Sequence, residues 1–167
     1  MARLMFVIAD MVIKEEERVN NMKNLIIRII SETDYKMCAQ SLVETFKEEP
    51  WNESWTHRQA FGRIEELMAR KMSRGYVAEY EGAVVGMCIG RIMTYTDFKE
   101  LWIDEFSINP SVQGLGVGSQ LIQHAKLEVG KEGVSNMSLT TQKGSPAVKF
   151  YEKNGFKIGE LVVFMHN

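Results

Sequence analysis

The sequence predicts a single mixed α/β domain, with a central sheet of about seven strands flanked by about four helices. Three observations carry this. The chain has 167 residues, close to the roughly 150 expected of one domain. Short β-branched or alternating apolar runs interleave with stretches of helical period along its whole length. Turn signals fall between them, at Glu81-Gly82, Asn109-Pro110, Gly130 and Gly155. The composition, 45% hydrophobic and 25% charged, suits a packed core and excludes a disordered, collagen-like or coiled-coil chain.

The elements follow in order. Met22 directly precedes the first apolar run and reads as the natural start; residues 1–21 then form an upstream extension, and residues 22–167 the domain. Leu25 to Ile30 is the first strand. Ser31 and Thr33 offer caps to a helix carrying Tyr35, Cys38, Leu42, Val43 and Phe46, which Pro50 stops. Thr56 and Gln59 form a capping box for a second helix with Phe61, Ile64, Leu67 and Met68 on one stripe. Gly75 to Tyr80 and Ala83 to Met93 read as a hairpin about Glu81-Gly82, and Leu101 to Ile108 as the next strand. A glycine-rich turn, Gln113 to Ser119, opens a helix closed by Gly130. Met137 to Thr141 is a strand and Pro146 to Lys153 a helix with proline in its first turn. Phe156 to Ile158 and Leu161 to Met165 complete the sheet.

Several function classes recede on composition. The formal charge of −2 argues against a nucleic-acid binder that works through a general basic field. The apolar stretch from Leu4 to Ile13, interrupted by Asp10, is far short of the roughly 20 residues of a membrane span; with no targeting signal, the expected compartment is the cytoplasm. Cys38 and Cys88 sit in apolar contexts and read as reduced, buried core residues. His57, His124 and His166 have no neighbours at ligand spacing, so no metal is expected.

A strand, a glycine turn and a helix place backbone N–H groups at a positive helix end, a ready site for phosphate. No lysine follows Gly118 as a phosphate-cradling triphosphate loop requires, and the G-x-G-x-x-G spacing fails from both Gly114 and Gly116. The wider pattern is more specific. Gln113-x-x-Gly116-x-Gly118 after a strand, followed by Ser145-Pro-Ala147-Val-Lys-Phe150-Tyr151-Glu-Lys-Asn-Gly155-Phe156, resembles the two acyl-coenzyme A motifs of the GNAT superfamily of N-acetyltransferases. The resemblance spans Met22 to the C-terminus. Within the superfamily the chain looks like the small bacterial members grouped with aminoglycoside 6'-N-acetyltransferases, through its Pro50-Trp51-Asn52-Glu53-Ser54-Trp55 run.

That resemblance implies a sheet split like a V between its fourth strand (Leu101 to Ile108) and fifth (Met137 to Thr141), with acetyl-CoA in the gap as acetyl donor. The amides of Gln113, Gly114, Leu115, Gly116, Val117, Gly118 and Ser119 would hold the pyrophosphate. Phe106, Ser107 and Ile108 would offer an unpaired strand edge to the pantetheine amides, and an N–H near Ser107 would polarise the carbonyl. Ala147 and Tyr151 would complete the pocket, with Tyr151 as general acid to the departing thiolate. The family usually has Asn where this chain has Gly144, so Ser145 or Thr141 would supply the missing contact.

Transfer to an amine also needs a base. Asp104 and Glu105 stand mid-strand, and strict alternation would send them to opposite faces. The resemblance favours Asp104 as base or ammonium-positioning group, with ion pairs to Arg63, Arg70 or Arg91 as the plainer role for either acid. The loop between the first two helices would wall the acceptor site, bringing Glu48, Glu49, Trp51, Asn52, Glu53 and Trp55 to a small cationic amine such as an aminoglycoside or polyamine. Two alternatives stand beside this: a protein or peptide amine as acceptor, and an acyl-CoA sensor without turnover. Leu161-Val162-Val163-Phe164 offers a surface for a homodimer.

Overall fold

The computed structural model describes residues 24–159. The apolar run at the start forms β1 (Leu25–Ile29), and a 3₁₀ turn at Glu32–Asp34 leads into helix α1 (Tyr35–Lys47). Helix α2 (His57–Met68) begins at the expected box: the Thr56 side chain accepts from the Gln59 N–H, and Gln59 Oε1 accepts from the Thr56 N–H. Strands β2 (Ser73–Tyr80) and β3 (Ala83–Thr94) make the predicted hairpin, with both turn residues at positive φ, Glu81 at 52° and Gly82 at 80°. That is the geometry a two-residue turn needs to follow strand twist. β4 (Lys99–Ile108), α3 (Val117–Gly130), β5 (Asn136–Ser138) and α4 (Pro146–Lys153) follow.

The five strands form one sheet in the order β1-β2-β3-β4-β5, antiparallel except for the β4–β5 pair. Two corrections to the expected sheet arise here. β5 stops at Ser138 rather than Thr141, because its ladder to β4 ends at Trp102↔Ser138. Phe156 to Ile158 is not a strand among the described residues; the Phe156 N–H turns back to the Tyr151 carbonyl and closes α4 instead of pairing in the sheet. The expected last strand, its homodimer surface at Leu161 to Phe164, His166 and the extension at residues 1–21 lie outside the described residues.

Each face of the sheet carries its own core. Val77, Val84, Met87 and Ile89 pack against Cys38, Ala39 and Leu42 of α1 and Ala60, Ile64 and Leu67 of α2. Tyr76, Cys88, Leu101 and Ile103 pack on the other side against Val117, Leu121, Ala125 and Val129 of α3. Cys38 and Cys88 are buried and unpaired in these cores, as expected. At the edge, Arg28 of β1 donates to both Asp34 carboxylate oxygens, at 2.6 and 2.8 Å, and to Glu79 of β2 at 2.8 Å. The Ser31 N–H and hydroxyl also donate to Asp34, at 2.8 and 2.9 Å. So many donors hold the Asp34 carboxyl well below its ordinary range, at about 2. No helix among the described residues is long and apolar enough to cross a membrane.

One irregularity in the sheet decides where the reactive groups point. Ile89 pairs with Glu105 and the next residue, Gly90, with Ile103, so Asp104 is an extra residue in β4. This β-bulge resets the alternation. Leu101 and Ile103 before it, and Phe106 and Ile108 after it, all belong to the α3-side core. Asp104 and Glu105 therefore share the α1/α2 face, where strict alternation would have separated them. Gly90 permits the bulge, since a Cβ there would stand 2.5 Å from the Trp102 carbonyl oxygen.

Candidate active site

A cleft runs along β4 from the end of α1 to α4. It is lined by Glu48, Glu49 and Trp51 of the first interhelical loop, by Trp102 to Ile108, by Gln113, Gly114, Gly116, Gly118 and Ser119, and by the walls of β5 and α4. Thr141 after β5, and Ala147 and Tyr151 of α4, are part of that lining. The cleft thus unites most of the candidates named from the sequence. Glu53 and Trp55 stand apart from it: the Trp55 indole N–H donates to Glu53, and its ring packs beneath the loop on the α1/α2 core. Trp51 stacks at a tilt on Phe46, with centroids 5.7 Å apart, and keeps one side to the cleft.

The open edge of β4 has a defined register. The Asn109 N–H bonds to the Val85 carbonyl and Met87 pairs with Ser107. Alternation along an antiparallel ladder then directs the Ser107 backbone at β3 and leaves the N–H and C=O groups of Phe106 and Ile108 on the side away from β3. The Ile108 carbonyl is already engaged there, by the Gln113 side-chain amide at 2.9 Å and the Thr45 hydroxyl at 3.3 Å. Gln113 therefore also ties the glycine turn to the end of the strand.

At that turn Gly114 and Gly116 have φ of 78° and 86°, which side-chain-bearing residues rarely adopt, and Gly116 opens α3. The first-turn N–H groups of α3 have no carbonyl behind them within the helix, so they face outward with the positive end of the helix. Gly118 has a different task. A Cβ there would come within 3.0 Å of the Phe150 ring, so its bareness lets α4 close on α3. Near the start of α4, the Ser145 hydroxyl is buried without a partner, as is that of Ser107 on β4. A buried hydroxyl with nothing to bond marks a place shaped for a polar group. The open edge and the outward amides fit a long ligand with a charged phosphate end and an amide-bearing arm, while Ser145 itself lies outside the cleft lining.

The two acids of the bulge sit in unlike surroundings. Asp104 pairs with Arg91 across the β3–β4 ladder and lies 3.8 Å from Arg70 beyond α2. Glu105 meets Arg63 of α2 at 3.5 Å, beyond a good hydrogen bond, and its side chain is 12% exposed. Burial pushes its carboxyl up to about 7, with Glu53 and Asp104 adding to the rise and Arg63 opposing it. Tyr151 lies among Phe106, Phe150 and Phe156. Burial, with Cys88 and Glu105 acting in the same direction, raises its phenol, which therefore stays protonated at neutral pH. Trp102 and the stacked pair Tyr95 and Phe98 also line the cleft from the β3–β4 hairpin. The sequence reading missed them, although Trp102 shares a face with Asp104 two positions on. His57 and His124 hold structural contacts, with the Lys36 carbonyl and the Tyr76 ring, and no group of three or more metal-ligating side chains occurs among the described residues.

This fold, with a glycine turn beside an open strand edge, defines an acyl-transfer enzyme, and the chain belongs to the acetyltransferase (GNAT) family, whose pattern matches residues 36–156. Membership gives the chain its activity, acetyl transfer, and acetyl-CoA as its donor. Among solved structures it is similar to a transcriptional regulator from Bacillus halodurans C-125, with 24% identity and a TM-score of 0.71 over 86% of this chain and 99% of that one. It is similar also to an aminoglycoside acetyltransferase from an uncultured soil metagenomic sample, solved with sisomicin, at 17% identity and 0.68 over 86% and 95%. A third is the aminoglycoside N-acetyltransferase AAC(6')-Iy in complex with CoA, at 18% and 0.68 over 86% and 94%. At these identities the likeness is one of fold. No curated protein matches the chain.

Proposed function

We propose that the enzyme transfers acetyl from acetyl-CoA to a primary amine of a small cationic acceptor by direct attack, with Glu105 as general base and Tyr151 as general acid. The observation that carries this is that Glu105, a buried carboxyl met by a single arginine at 3.5 Å, and the Tyr151 phenol line one cleft along β4. Glu105 takes a proton from the acceptor ammonium, freeing the nitrogen lone pair. The phenol of Tyr151 supplies a proton to the sulfur as the C–S bond breaks and the N–C bond forms; the second proton shed by the nitrogen goes to solvent, and the phenolate is reprotonated from solvent. When bound, acetyl-CoA supplies the activated thioester carbonyl. The free N–H of Phe106 or Ile108 is placed to polarise that carbonyl, which moves the role assigned near Ser107 to its neighbours. Asp104 serves as a fixed charge near the acceptor rather than as the base, because Arg91 already occupies it.

We infer that the donor sits in the gap beyond the short β4–β5 ladder. The N–H groups of Gly114, Gly116, Val117, Gly118 and Ser119 receive the pyrophosphate, whereas those of Gln113 and Leu115, expected to join them, already donate to the Pro110 and Val112 carbonyls; Ser145 or Thr141 replaces the side chain lacking at Gly144. A cationic acceptor is supported by Glu48 and Glu49 in the cleft, by the Trp51 face, and by the sisomicin-bound relative of like fold. Free-thiol release from acetyl-CoA across polyamines, aminoglycosides, amino acids and short peptides, with calorimetric CoA binding alongside, tests the reading. Release with one cationic class is the expected result. Release with peptides alone overturns the acceptor assignment, and CoA binding without release on any amine overturns the transferase mechanism.

A further inference from the structure

Two consecutive acids share one face at the bulge, and three arginines meet them. Arg63 and Arg70 are seven residues apart on the α2 side, two helical turns or about 10 Å. Arg63 falls on the stripe of Ala60, Ile64 and Leu67, which the α1/α2 core buries, so its backbone is fixed relative to the sheet. From there it reaches Glu105 at 3.5 Å, while Arg70 stands 3.8 Å from Asp104 and Arg91 closes on Asp104 from β3. The acids are adjacent in the chain, yet their side chains fan apart to cations two turns distant.

We propose that Arg63 is a positioning residue for acetyl transfer, holding the Glu105 carboxylate at the cleft from behind while Arg91 and Arg70 commit Asp104 and leave Glu105 free to exchange a proton. This rests on Glu105 as the base. The groups facing Glu105 are Arg63 from α2, Glu53 from the loop before α2, Asp104 from its own strand and Tyr151 from α4; α1 brings Thr45 near the end of the same strand. Arg63 is thus the cation that meets Glu105 directly, set against two carboxylates. Without it Glu105 would be held protonated at neutral pH or would turn away from the acids beside it.

Arg63 itself is one-third exposed and its loss empties no core. The test compares full-length wild type with Arg63→Gln, Arg63→Lys and Glu105→Gln. Carboxyl ¹³C NMR follows the Glu105 titration, the Glu105→Gln spectrum identifying the resonance. The pH profile of kcat/KM is measured with acetyl-CoA and spermidine or kanamycin, whichever the wild type acetylates. In Arg63→Gln the Glu105 titration and the acid limb of the profile should both move up by about one pH unit. Arg63→Lys should restore most of this, with calorimetric CoA affinity the same in all. A Glu105 titration in Arg63→Gln coincident with wild type overturns the positioning role and leaves the base reading standing. Full turnover in Glu105→Gln overturns the base reading, whatever the titrations show.

Discussion

Two carboxylates in this molecule lie beside arginines in places nearly closed to water, and they are driven in opposite directions. Asp34, 3% exposed, receives two short bonds from Arg28 and two more from Ser31, and is held at about 2. Glu105, 12% exposed, has one arginine at 3.5 Å and two acids nearby, and is raised to about 7. Nearness to a cation does not separate the two. What separates them is whether hydrogen bonds replace the lost water. At β1 they do, and the result is a clasp between strand and helix. At the bulge they do not, and the result is a group that can give and take protons near neutrality.

The largest expected effect is on catalysis. Glu105→Gln should lower kcat/KM by about 10²- to 10⁴-fold, the usual worth of a general base, while calorimetric CoA binding stays unchanged. Asp34→Asn should leave catalytic groups untouched and instead lower stability by about 2 kcal/mol in denaturant unfolding, because the donors of Arg28 and Ser31 lose the charge they meet, while Arg28 keeps Glu79. If Glu105→Gln proves the more destabilising of the two, the contrast between clasp and proton carrier is wrong.

The pH dependence of stability sharpens the same contrast, since the signs differ. Asp34 has its folded value lowered from 3.8 to about 2; its contribution of about 2 kcal/mol is present above pH 4 and is lost as pH falls toward 2. Glu105 has its folded value raised from 4.5 to about 7. Its contribution is full below pH 4.5 and is lost as pH rises through 7, an effect of up to about 3 kcal/mol. Thermal unfolding across this range should show the loss between pH 4.5 and 7 in wild type and its removal in Glu105→Gln. A variant curve that falls as steeply as wild type would show that another group titrates there.

The legible and illegible parts of this architecture divide along the same physical line. The capping box of α2, the Glu81-Gly82 turn and the glycine turn before α3 were readable because each depends on a few residues in sequence, such as Thr56 with Gln59 or Gly116 at its left-handed φ, whereas Ser31, expected to cap α1, caps the 3₁₀ turn before it. The facing of Asp104 and Glu105 was not readable. It depends on one unpaired residue in the β3–β4 ladder, which follows from the fit of Gly90 against the Trp102 carbonyl across the strands. The limits of β5 were lost for a similar reason, since a strand ends where its partner diverges, and Trp102 is thirty-six residues away from Ser138. The arginine partners were visible as candidates, but their allotment, Arg63 to Glu105 and Arg91 to Asp104, required the bulge.

The smallest expected effect comes from a third arginine–carboxylate pair, which separates geometry from burial. Arg74 meets Glu132 with its Nε 2.7 Å from the carboxylate and a second contact from the guanidinium, a forked arrangement like that of Arg28 on Asp34. Its side chains are 28% and 40% exposed, however, so water already solvates both charges when they are apart. An exposed pair is worth about 0–1 kcal/mol, and Glu132→Gln should change unfolding free energy by no more than that, with less at high salt and with kcat/KM unchanged. If it costs as much as Asp34→Asn, the fork alone sets the stabilisation and burial of Asp34 adds nothing. If it costs little, the strength of the β1 clasp comes from having the same donors where no water can substitute for them, and Glu105 becomes the complementary case: a carboxylate as closed to water as the clasp requires, but without the donors.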